Sequence, residues 1–361
     1  MVNVAQTFAL MSARRLFVLG GLALIVIGMI FGDIFAVFVL HQNAGKQGAA
    51  LVDAAQAVAR QDPQAAGRAF QDLGSLLEDR GTKIDTHAHM IGAGYLALML
   101  AIAQPYVVLA AATKKFLARL FISSGIALPI GIFAIHYIGL AYSPFAVIGW
   151  ASVLADLSGF LLGLVVLIEI WGLVSYFLRA TAAPVEPELP RDKTWSCRVL
   201  LTGGTVLILL GFLYGARYAA FDLYRNEGME AEIVRGMLQA ATANSGNGIA
   251  QHAQEFGNLA GDHAVQIAAH SHIIEFGLLA ILLSFIQRYV FLSEASQRFW
   301  VLMLLAGSVI LPIAVALELR FGLIAGGIAD LGGLLVIIAL IAMLAGVIRY
   351  TGSLDSTGAT E

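Results

Sequence analysis

Long apolar runs separated by short polar connections dominate this chain. Eight of them reach roughly 20 residues or more, the length that crosses a hydrocarbon core about 30 Å thick. They fall at about 16–40, 88–112, 117–140, 150–177, 199–222, 271–291, 299–322 and 328–348. Backbone groups in lipid must find partners within their own segment, so these runs predict helices. A β-barrel would show short alternating segments instead. The first run follows Arg14 and Arg15 and has the position of a secretory leader. It is longer than a leader's apolar core, and a second copy of it lies internally at 199–222, where no leader can be.

That second copy belongs to a wider pattern. From Arg15 to Leu140 the sequence repeats with a displacement of 183 positions, from Gly20 to Gly203, without a gap. Gly21, Gly28 and Gly32 fall on Gly204, Gly211 and Gly215. Gln56, Gln71 and Gly74 fall on Gln239, Gln254 and Gly257, and Gly94, Gln104 and Tyr106 on Gly277, Gln287 and Tyr289. His87-Ala88-His89 falls on His270-Ser271-His272. After Leu140 the alignment slips, then resumes with nine residues fewer, Ala155-Asp156-Leu157 matching Ala329-Asp330-Leu331. The expected fold is therefore all-α and membrane-integral: two tandem four-helix repeats, 1–177 and 198–350. Four spans return the chain to its starting side, so the repeats share an orientation and a pseudo-two-fold along the membrane normal. Residues 178–197, with Pro184, Pro187 and Pro190, read as a cytoplasmic linker, and 351–361 as a disordered tail.

Composition agrees: 59% of the 361 residues are hydrophobic and 12% are charged, where a soluble domain carries about 25%. Arg14, Arg15, Lys114, Lys115, Arg119, Arg179, Arg191, Lys193, Arg198, Arg288, Arg298 and Arg349 share one side if both termini are cytoplasmic. A bacterial inner membrane is the expected location. Two longer connections, 41–86 and 223–269, then lie outside, each read as two short helices over the outer membrane face. Asp62-Pro63 is a good helix start, and Phe70, Leu73, Leu76 and Leu77 continue it at helical spacing. A net charge of −3 without a basic tract gives no sign of nucleic-acid binding. The single Cys197 excludes an internal disulfide, covalent haem attachment through Cys-x-x-Cys-His, and thiolate metal chemistry. No P-loop or hydrolase motif occurs.

The duplicated His-x-His is the chief chemical signal. A polar residue near the membrane needs a partner, and neutral imidazole is the commonest biological metal ligand. On a helix, positions i and i+2 point about 200° apart, so one pair serves two sites. His87 with His270 and His89 with His272, or the crossed pairs, would then clamp haem iron from opposite faces. Gly94 and Gly277 would let a porphyrin approach. In an extended segment the two rings point the same way, and His87, His89, His270 and His272 would form a four-histidine Cu or Zn site. A third reading leaves the four satisfied by water and backbone, in a transporter or assembly subunit. Gly28-x-x-x-Gly32 and Gly211-x-x-x-Gly215 carry either close helix packing or a smooth wall for a flat macrocycle.

Eight spans as two fused four-helix bundles with histidines in both halves resemble haem A synthase in layout. A helical His-x-His is similar to the motif of haem–copper oxidase catalytic subunits. The resemblance covers the order of spans and four histidines, and it implies haem as the ligand type. Haem A synthase carries histidine on two spans of each half, whereas the fourth spans here carry Asp156 and Asp330.

Where the halves differ, one has specialised. His136 and Tyr137 stand opposite Leu319 and Arg320; Arg217 replaces Ile34, Asp222 replaces Val39, and Glu275 replaces Gly92. Glu275, three residues after His272, can orient that imidazole or take its proton. Glu275 and His136 are the catalytic candidates. Arg217 and Arg320 suit haem propionates or a quinone head group; the alternative is ion pairing with Asp33 or Asp222, and with Glu318 or Asp330. Asp156 and Asp330 read as helix caps. Glu169, matched by Met343, is the deepest acid and a proton-relay candidate. The leading expectation is a membrane b-type haem protein moving electrons between a quinol and an acceptor at the outer face. Its expected partners are the bilayer, a quinone, and partner subunits or a periplasmic redox protein. The alternative is a copper or zinc membrane protein.

Overall fold

The computed structural model describes residues 11–36, 41–138, 150–179, 194–243 and 245–350. Every regular element among them is a helix. We number them α1 (Ala13–Phe35), α2 (His41–Ala59), α3 (Pro63–Ala103), α4 (Ala111–Ile138), α5 (Trp150–Arg179), α6 (Trp195–Arg217), α7 (Tyr224–Thr242), α8 (Gly246–Ile286), α9 (Glu294–Phe321) and α10 (Leu323–Arg349). Eight are long and apolar enough to cross a membrane, all but α2 and α7. The protein is integral to the membrane. Its outer surface is correspondingly apolar, with Phe160, Trp171 and Leu323 all more than 60% exposed, the inverse of a water-soluble surface. Most of the linker (180–193) and the tail lie outside the described residues.

The two longer connections, 41–86 and 223–269, differ from expectation. Each holds one separate helix, α2 or α7, but the second expected helix is continuous with the following span. After Pro63 no proline occurs until Pro105, and none falls within Gly246–Ile286, so nothing ends either helix early. Both run for 41 residues, about 60 Å at 1.5 Å per residue. Their starts are capped alike. Asp62 accepts from the N–H groups of Gln64 and Ala65, and Ser245 accepts from that of Gly248, satisfying donors a helix start otherwise leaves open. α2 lies along α3, and α7 along α8.

Small residues bring the spans together. A Cβ on Gly21 would stand 2.8 Å from the Gly94 carbonyl oxygen, and one on Gly277 would stand 2.7 Å from that of Gly204. Backbones this close require glycine, the usual device where lipid supplies no hydrophobic drive between helices. α1 thus meets α3, and α6 meets α8. At the other end, the Val108 N–H donates to the Gly172 oxygen and the Phe291 N–H to the Gly346 oxygen, both at 3.0 Å. Those bonds tie the short 3-10 turns Gln104–Tyr106 and Gln287–Tyr289 to α5 and α10. Between α9 and α10 the chain reverses at Gly322, whose φ of 54° and ψ of −136° suit a residue without a Cβ.

Candidate functional site

Both His-x-His pairs lie inside α3 and α8, unbroken helices, not in extended segments. His87 stands 16 residues before the end of α3 at Ala103, about 24 Å along the axis. The helical setting turns the two rings of one pair away from each other. One ion could take both only if the helix opened there.

His87 and His270 are held alike. The Nδ1 of His87 lies 2.7 Å from the Gly28 oxygen, and that of His270 lies 3.0 Å from the Gly211 oxygen. A carbonyl only accepts, so Nδ1 carries the proton and Nε2 keeps the lone pair. A hydrogen bond at one nitrogen that presents the other as a base is the arrangement that orients a metal-ligating histidine. Each ring also rests on a glycine. A Cβ on Gly32 would overlap Cε1 and Nδ1 of His87 and stand 3.0 Å from its Nε2; one on Gly215 would stand 2.8 Å and 3.0 Å from Nδ1 and Nε2 of His270. The Gly-x-x-x-Gly spacing therefore has a divided use. Its first glycine meets Ile91 or Ile274 on the next helix, and its second receives an imidazole.

The other two histidines differ. His89 is exposed, and its Nδ1 lies 2.7 Å from the Asp85 oxygen one turn back. His272 stacks on Phe276, ring centroids 5.8 Å apart, with Nδ1 3.8 Å from a Glu275 carboxylate oxygen. That gap is too long for a direct hydrogen bond. α3 and α8 meet at this level, because the Tyr95 hydroxyl donates to the Glu275 backbone oxygen at 3.2 Å. His87 is within electrostatic reach of both His272 and Glu275. Across the two halves, His87 therefore lies near His272 and Glu275.

Other expected residues fall elsewhere. Gly94 and Gly277 do not border ligand-sized space: a Cβ on Gly94 would meet Ile25 and the Gly21 carbonyl, and one on Gly277 would meet Ile208 and the Gly204 carbonyl. They bring α1 against α3 and α6 against α8. Gly92 has open space beside it, three residues from His89. Arg217 pairs with Asp222 at 3.0 Å and lies over the Tyr214 ring. Asp33 turns instead toward α10, where its Oδ1 would stand 3.2 Å from a Cβ on Gly333, within electrostatic reach of Asp330. Arg320 is exposed in the last turn of α9. The side chains of His136 and Tyr137 lie outside the described residues.

Sequence reasoning missed two partners. Tyr218 opens a six-residue π-helical stretch after α6, and its hydroxyl lies 2.7 Å from His263 Nδ1. His263 precedes His270 by seven residues, two turns on one face, and that interval was the available signal. Tyr95 lacked any such mark.

Among the described residues no group of three or more His, Cys, Asp or Glu side chains is placed to hold a metal ion. Comparison with known protein families, characterised proteins and solved structures finds no match to this chain.

Proposed function

We propose that this chain is a membrane b-type haem protein that carries electrons between a membrane quinol and an acceptor at the outer face. Its two halves, 1–177 and 198–350, form four-helix units of one orientation about a pseudo-two-fold, in a bacterial inner membrane with both termini cytoplasmic. The observation that carries this reading is the matched seating of His87 and His270: Nδ1 bonded to a glycine carbonyl, ring on a glycine, Nε2 presented as a base. Those residues would hold the iron of a bound haem. The nearness of His87 to His272 favours that pair, and the proposed pseudo-two-fold would then match it with His270 and His89. A bound haem would supply one-electron transfer. The chain's own residues bind and orient: Gly28 and Gly211 fix the tautomer, Gly32 and Gly215 set the ring position, and Glu275 stands beside His272 as a carboxylate for its imidazole or for a proton. The recurrence of the Gly21–Gly94 contact as Gly204–Gly277, and of the Asp62 cap as Ser245, supports the duplicated architecture.

Purification in mild detergent followed by oxidised and dithionite-reduced absorption spectra tests the proposal. A Soret band with split α and β bands on reduction is expected, lost or converted to a high-spin spectrum in His87→Ala and His270→Ala. A colourless protein that takes up no added haemin would overturn it, and stoichiometric copper or zinc by elemental analysis would replace it with the bare-metal reading.

A further inference from the structure

Far from the histidines, at the opposite end of the spans, α5 buries Glu169, 2% exposed. Gln104, which opens the turn after α3, donates from Nε2 to Glu169 Oε2 at 2.8 Å. The remaining oxygens of both side chains, Oε1 of Glu169 and Oε1 of Gln104, are buried with no hydrogen-bond partner. Two acceptors left over on either side of one made bond is the deficit expected when a carboxylate faces a primary amide. An acid and an amide can pair through two hydrogen bonds, N–H to oxygen and O–H to oxygen. One proton on the carboxyl supplies the missing donor and removes both deficits. A buried unpaired acceptor costs about 1–3 kcal/mol and a buried charge more.

We propose that Glu169 and Gln104 form a proton-binding site, in which a neutral Glu169 carboxyl donates to the Gln104 amide oxygen. The only other charged group that bears on Glu169 among the described residues is Lys114 of α4, whose Nζ donates to the Gln104 backbone oxygen at 3.0 Å. That ammonium holds the Gln104 carbonyl oxygen beside the acid. The proton thereby closes a chain from α5 through Gln104 to α4 and fixes the turn between α3 and α4. The other half carries the proton-free counterpart. Gln287 donates from Nε2 to Met343 Sδ at 3.6 Å, and its Oε1 is again buried without a partner. A thioether holds no proton to offer, so the site exists in one half alone.

Infrared spectroscopy of the detergent-solubilised protein at neutral pH tests this. We expect a protonated-carboxyl C=O band that shifts on exchange into D2O and is lost in E169Q, where the amide keeps the shape without the acid. E169M, which copies the Met343 arrangement, loses it too. Labelling the unsubstituted protein with carboxyl-13C glutamate moves the band and separates it from Asp33 and Asp330, so the test does not depend on a variant that folds. The proposal is overturned if the labelled glutamate contributes only ionised-carboxylate bands, or if the wild-type-minus-E169Q difference loses intensity there and not among protonated carboxyls.

Discussion

Replacing Gly32 with alanine tests the seating of the imidazole. The new methyl would overlap two atoms of the His87 ring, which must shift and stretch its 2.7 Å bond to Gly28. Overpacking of this kind costs about 1–3 kcal/mol, and a weakened buried hydrogen bond about 0.5–1.5 kcal/mol. Against this, alanine gains about 0.5–1 kcal/mol over glycine inside a helix. The net expectation for Gly32→Ala is a loss of roughly 1–3 kcal/mol. Removing the ring reverses the sign: in His87→Ala the same methyl enters vacated space and stabilises by up to about 1 kcal/mol. A double-mutant cycle should therefore show a coupling of roughly 2–4 kcal/mol. The assay is unfolding of the four proteins in mild detergent by titration with dodecyl sulfate. Gly67→Ala, beside which nothing lies within 4 Å, is the control and should stabilise. Equal costs for Gly32→Ala in both backgrounds would refute the seating. On the proposed haem reading, the misplaced ring should lower haem affinity about 10–100-fold, the usual effect of disturbing a ligand's hydrogen-bond partner.

Asp62→Ala removes the side-chain acceptor at the start of α3 and should cost about 1 kcal/mol in the same assay, while Asp62→Ser, copying Ser245, should restore most of it. Gly322→Ala forces a Cβ into a conformation with φ of 54° and should cost about 1–3 kcal/mol; Gly327→Ala, in open space within α10, should not. Arg217→Gln breaks a pair whose arginine is 60% exposed, so unfolding should change by less than about 1 kcal/mol. A larger change would mean that Arg217 holds more than Asp222.

Most of the spans were legible because length and apolarity alone decide that a helix crosses lipid, and a displaced copy of the sequence repeats the same decision. The boundaries moved where polar residues continue a helix beyond the bilayer. α3 begins at Pro63 although its apolar run begins near 88, because helix propensity, not hydropathy, governs residues 63–87. The histidines were legible as a group since they recur in both copies. Their partners were not, because a backbone carbonyl leaves no trace in composition. Gly28 and Gly32 look like one packing motif, yet one meets Ile91 and the other an imidazole. Gly94 and Gly277, close to the histidines in sequence, each face the backbone of a neighbouring helix.

Helix geometry also constrains what such a pair can do. Two rings about 200° apart on an unbroken helix cannot close on one ion, so any metal chemistry at His87 must be completed by another helix. α8 is the helix that brings both a second imidazole, His272, and a carboxylate, Glu275, into electrostatic reach of it. Glu275 stands where the first copy has Gly92, a position beside open space. On the proposed haem reading the two sites would differ in their surroundings, Glu275 lying beside His272 and near His87, even though the seating of His87 and His270 is matched. Two groups bound there would differ in potential, the one nearer Glu275 being the harder to reduce, because a nearby negative charge favours the oxidised, more positive centre. Glu275→Gly, which copies the first half, should raise the lower potential toward the higher in a redox titration. Potentials unchanged by that substitution would place the carboxylate outside the field of either centre.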